Sequence, residues 1–81
     1  MKKKINTIYR NDFDNLVNIP QDGDIVLLKK HSKYYLATFH HNDTIERYDK
    51  TLHKVNYAWH SDNGWYDVEV GDMWIYPKYI F

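Results

Sequence analysis

Apolar and polar positions alternate over most of the chain, with the two-residue period of strands that bury one face. In "INTIY", Ile5, Thr7 and Tyr9 oppose Asn6 and Ile8, which predicts a short edge strand. "DIVLLKK" departs from alternation. Its apolar run, Ile25 to Leu28, has strand length and suits the central strand of a sheet. In "YYLATFHH", Tyr35, Ala37 and Phe39 oppose Tyr34, Leu36 and Thr38, and the tight connection "HSK" makes a hairpin with the preceding run.

Further along, "HND" (His41 to Asp43) reads as a turn into the weaker polar strand "TIERYD". In "LHKVNYAWH", His53, Val55, Tyr57 and Trp59 share an inward face. "SDNG" is the strongest turn signal, since Asn and Gly tolerate positive φ. It leads into "WYDVEV", with Tyr66, Val68 and Val70 on one face and Trp65, Asp67 and Glu69 on the wet one. "GD" then turns the chain into "MWIYP", where Pro77 marks an edge or an end because it donates no ladder hydrogen bond. Beyond "INTIY", the rest of the first 20 residues break the strand period. Phe13, Leu16 and Val17 are spaced i, i+3, i+4 behind an Asn11 or Asp12 cap, which predicts a short helix over Asp12 to Asn18, stopped by Pro20.

The expected fold is therefore α+β and mostly β, a single domain over residues 1–81. It is a twisted antiparallel sheet of five or six short strands, with closure into a barrel left open, and one short N-terminal helix. With no cysteine, neither disulfides nor thiolate metal sites contribute, so the fold relies on its apolar core or a partner. A cytoplasmic setting is expected. No apolar stretch follows the basic start as in a signal peptide, and no window holds about 18 apolar residues for a membrane span.

Eleven basic residues balance eleven acidic ones along most of the chain. That balance argues against specific nucleic-acid binding, which needs several phosphates neutralised by clustered Lys and Arg. Lys2 to Lys4, and Lys29, Lys30 and Lys33 around a turn, read as solvated ends and edges.

Five histidines raise a metal site, but His40 and His41 are adjacent and His53 and His60 are seven apart, so each pair faces opposite ways on a strand. At most one of each pair joins a shared site. No metal and no cofactor are expected, and no nucleophile or phosphate-cradling loop accompanies the histidines and carboxylates, so no catalytic residue is assigned. Aromatics are the anomaly at 17% of residues. One small core cannot hide them all, and Tyr and Trp are the usual anchors of protein interfaces. Tyr34, Tyr48, Trp65, Tyr76, Tyr79 and Phe81 are the candidate partner-binding residues.

The stretches "NIPQDGDIVLL" and "VEVGDMWIYPK" resemble the two ends of a family of small phage and prophage proteins classed as a domain of unknown function. Ile19, Pro20, Gly23, Val26 and Leu27 fit its Leu-Pro…Gly…Val-Leu opening, and Trp74, Ile75 and Pro77 its closing Trp-x-x-Pro. Met73 stands where the family has His, Tyr76 where it has Leu, and its opening Trp-Ile-Ser-Val has no counterpart near Tyr9. The resemblance implies a mobile-element origin and a small α+β fold. Together with the aromatic surplus it points to a non-enzymatic, phage-encoded protein that inhibits or occludes a host defence protein such as a CRISPR or other nuclease. The alternatives are a binder that sequesters a nucleotide signal between rings, with Lys29, Lys30 or Arg47 on phosphate, and a hydrolase using His and carboxylates. A homodimer through the same rings is a further expectation.

Overall fold

Two-residue turns and positive-φ positions dictate how the strands are joined. In the computed structural model, which describes residues 5–79, the strands in chain order are β1 (Asn6–Thr7), β2 (Tyr9–Arg10), β3 (Leu16–Val17), β4 (Ile25–Lys30), β5 (Lys33–Glu46), β6 (Leu52–Ser61), β7 (Gly64–Asp67) and β8 (Met73–Ile75). A six-stranded antiparallel sheet runs β1-β8-β4-β5-β6-β7, and β2 pairs with β3 separately. The sheet is open, with β1 and β7 at its edges, so it does not close into a barrel.

His31 and Ser32 both have positive φ (51° and 66°), as the favoured two-residue hairpin turn requires, and they place Lys30 opposite Lys33. Asp62 and Asn63 join β6 to β7, with Ser61 opposite Gly64. β4 is interior, between β8 and β5, and β1 is the expected edge strand.

The predicted helix over Asp12 to Asn18 is absent, and this segment instead supplies the turn after β2 and then β3 itself. The Asn11 side-chain oxygen accepts hydrogen bonds from the backbone N–H groups of Phe13 (2.9 Å) and Asn15 (3.0 Å), while the Asn11 N–H donates to the Asn15 carbonyl. Such Asx bonding competes with helix, and seven residues cannot recover the cost of nucleation. Asp14 and Asn18 also adopt positive φ, which ends any helical path. Phe13, placed on the buried face by helical spacing, is 84% exposed.

The second correction concerns "HND". β5 runs straight through it, because Asn42 takes a left-handed φ of 56° within the strand while the pairing with β6 keeps its register on either side. The chain reverses later. Arg47 N–H donates to the Thr51 carbonyl and Lys50 N–H to the Arg47 carbonyl, so only Thr44 to Glu46 of "TIERYD" is strand.

Ile8, Val26, Leu28, Ala37, Phe39, Trp59 and Trp74 form the core on one face of the sheet, with Leu16, Ile19, Tyr57, Tyr66, Val68 and Tyr76 packed around them. Phe39 meets Trp59 edge-on at 5.2 Å between ring centres and stacks on Tyr57 at 5.7 Å. The N-terminal strands form the second layer: Ile8 N–H donates to the Asp72 carbonyl, Gly71 N–H to the Ile8 carbonyl, and Trp74 Nε1 to the Asn18 carbonyl at 2.8 Å. Val70 departs from its expected inward face and is exposed, because β7 ends at Asp67. Among the described residues no helix is long and apolar enough to cross a membrane.

Candidate interaction surface

The two faces of the sheet are covered unequally. Register places Leu27 between Ile75 and Leu36, Lys29 between Met73 and Tyr34, and Ile25 opposite Thr38. These side chains point away from the core. Thr38 pairs with His60, and His60 with Trp65, so the outward row runs from β8 to β7. Along it Ile25 is 56%, Leu36 63% and Tyr34 65% exposed, and Ile5 lies beside them. Ile5, Leu27, Tyr34, Met73, Trp74 and Ile75 line a groove of about 320 Å³. Lys29 also lines it, with its ammonium 5.6 Å from the Tyr34 ring centre. Among the described residues it is the one charged group there. Single exposed apolar residues are ordinary, but a contiguous patch on a small protein marks an interaction surface.

At the other end of the row His40, His60 and Trp65 pack together, with Trp65 4.4 Å from His60 and 5.0 Å from His40 between ring centres. His40 Nδ1 lies 3.2 Å from Asp43 Oδ2. One member of each opposed histidine pair has thus joined the other, as strand alternation allows. His41 stacks on Tyr57 at 5.0 Å, and His53 meets the Thr51 hydroxyl at 2.6 Å. Among the described residues no three His, Asp or Glu side chains converge as metal ligands.

The candidate aromatics fall in three places. Tyr34 is on the outer patch and Trp65 on the histidine cluster, while Tyr48, 99% exposed, stands on the hairpin tip between β5 and β6. Tyr76 is half-buried on the core side. Its hydroxyl donates to Asp24 Oδ2 at 2.5 Å, and that bond, with burial, pushes the phenol up to about 12. Tyr79, in the short 3₁₀ turn Pro77–Tyr79, packs at 6.4 Å from Tyr76, and Lys78 lies over both rings. Phe81 and Lys2 to Lys4 lie outside the described residues.

Lys30 is not a solvated lysine. It is 5% exposed, and its ammonium donates to both oxygens of Asp72 at 3.0 Å and meets Glu69 Oε1 at 2.6 Å. Asp72 Oδ2 also accepts from Trp59 Nε1 and from the Glu69 N–H. Lys30 holds the Glu69 carboxyl below its usual range, first by hydrogen bonding and then by charge. An ammonium so enclosed is not free for phosphate, which removes Lys30 from the nucleotide reading. Sequence reasoning overlooked this network and the aliphatic half of the patch, Ile5, Ile25, Leu27 and Leu36. The available signal was the run Ile25 to Leu28, apolar on both faces in a chain too short to cover both.

No family model, no curated protein and no solved structure matches the chain.

Proposed function

We propose that this is a non-enzymatic binding protein whose outer sheet face docks a different protein, one that offers an apolar surface with a carboxylate beside it. The carrying observation is the outward row Ile25, Leu27, Tyr34, Leu36 and Met73, in which Ile25, Tyr34 and Leu36 are largely exposed and Leu27 and Met73 partly so, interrupted among the described residues by one charge, Lys29. Fully burying a Leu-sized side chain contributes about 1.5–3 kcal/mol, so these residues can form the anchoring centre of a complex whose rim must supply the rest against the cost of association. Charge decides the kind of occupant. A second copy docked face to face would bring no carboxylate to Lys29, since the outward positions of β8, β4 and the start of β5 contain none. Burying an unpaired ammonium is costly. A different chain with an acidic rim avoids that cost.

The resemblance to phage and prophage proteins adds the target class: a host defence protein, such as a nuclease, blocked by occlusion. The test is affinity capture from a lysate of the source cells with the intact protein, Tyr34→Glu and Leu36→Glu. Both positions are largely exposed, so circular dichroism should stay unchanged. The expected result is a stoichiometric partner that both variants lose. Equal capture by all three proteins contradicts the proposal.

A further inference from the structure

A second concavity lies away from the apolar groove, between the β5–β6 hairpin tip and the β6–β7 turn. It encloses about 470 Å³ and is lined by Glu46, Arg47, Tyr48, Lys50, Trp65 and Tyr66 among others. That is within the range of small-molecule sites, about 300–1,000 Å³. We propose that this cleft binds an uncharged, polyhydroxylated ring, that is, a saccharide.

Three observations carry this. The first is a fixed platform. His40 and His60 pack against Trp65, so its ring is already held when a ligand arrives. The second is the opposing wall. Arg47 Nη1 donates to Asp67 Oδ2 at 3.0 Å, tying the hairpin tip to β7, and Tyr48 stands on that tip with its ring in solvent. An aromatic this exposed gains most from packing against the apolar C–H face of a sugar.

The third observation is charge, which selects the ligand class. Arg47 is neutralised by Asp67, and the lining holds the carboxylate of Glu46 as well as the ammonium of Lys50. A nucleotide phosphate would meet no net positive field. Sugar hydroxyls instead both donate and accept, and the lining offers both partners: Lys50, Arg47 and the Asn63 amide as donors, Glu46 and the Asn63 carbonyl as acceptors. The site is separate from the apolar groove, so its failure would leave the protein-docking reading untouched.

The test uses the intact chain on a printed glycan array, followed by titration of the strongest soluble glycan against tryptophan emission, with AMP and GTP as controls. Trp59 and Trp74 are buried, so a ligand added from outside reports on half-exposed Trp65. A saturable emission change is expected by about 10 mM glycan, as a Kd of about 1 mM or tighter would give, with none from either nucleotide. Tyr48→Ala should weaken binding at least about tenfold while the melting curve stays in place, because the ring touches little of the fold. The proposal is overturned if no soluble glycan gives a saturable emission change, if a nucleotide saturates it instead, or if Tyr48→Ala binds as the intact protein does.

Discussion

The ammonium of Lys30 and the carboxylate of Asp72, 42 positions apart, meet inside the fold with the nitrogen 3.0 Å from each oxygen. The pair joins the end of β4 to the turn before β8, and Trp59 donates to the same carboxylate from the core. The closing strand is thus fastened from the polar side as well as by Trp74 from the apolar side.

Removing one partner of such a pair is costlier than removing both, because the survivor is left buried and uncompensated. Lys30→Met should cost about 3–5 kcal/mol, against a total near 5 kcal/mol for a domain of this size. Urea denaturation should show a largely unfolded variant, and Lys30→Met with Asp72→Asn should recover about half the loss, a coupling expected of residues in contact.

Acid should weaken the same network. Glu69 is depressed by Lys30, so its contribution to stability is present above the ordinary carboxylate range and is lost as pH falls through it. Melting temperature measured between neutral pH and about pH 3 should decline less steeply for Glu69→Gln than for the intact protein.

Alkali acts elsewhere. Tyr76 is raised from its ordinary value of 10.0 to about 12, first by its bond to Asp24, so stability should hold below pH 10 and fall between there and about 12. Tyr76→Phe should lose that alkaline slope. Absorbance of phenolate during a pH titration should show one late-titrating tyrosine fewer.

Four further substitutions, at three positions, test β8, the turn between β2 and β3, and β5. Trp74→Ala should cost about 3–5 kcal/mol, while Phe13→Ala, in the turn between β2 and β3, should shift the urea midpoint negligibly. Asn42→Val should cost about 1–3 kcal/mol, since a β-branched residue resists the left-handed φ that Asn accepts. Asn42→Gly should be close to neutral.

Where local chemistry and tertiary structure agree, the fold was legible. "HSK" and "SDNG" carry their turns in residue type, and the alternation of "INTIY" correctly separates buried Asn6 and Ile8 from exposed Ile5, Thr7 and Tyr9. The N-terminal helix failed because Asn11 bonds its own backbone, a competitor that apolar spacing does not register. The strand break at "HND" failed because one left-handed Asn was absorbed inside a continuous strand. For the surface, exposed aromatics were foreseen in kind, yet aliphatic Ile25 and Leu36, 56% and 63% exposed, stand in the patch beside Tyr34 at 65%. Their exposure follows from the lack, among the described residues, of a second layer over this face of β4 and β5, which depends on the whole topology. Lys30 and Asp72 were illegible for the same reason, since only the β4–β8 pairing brings them together.

The docking role of the outer face is tested most directly by photo-crosslinking from a single position. A photoreactive residue at Leu36 on that face should yield one discrete adduct with a different protein in source-cell lysate, mapped to an apolar surface beside a carboxylate. The same residue at exposed Phe13, on the separate β2–β3 turn, should yield none. Equal yields from the two positions, no adduct from Leu36, or an adduct with a second copy of the chain would contradict the account.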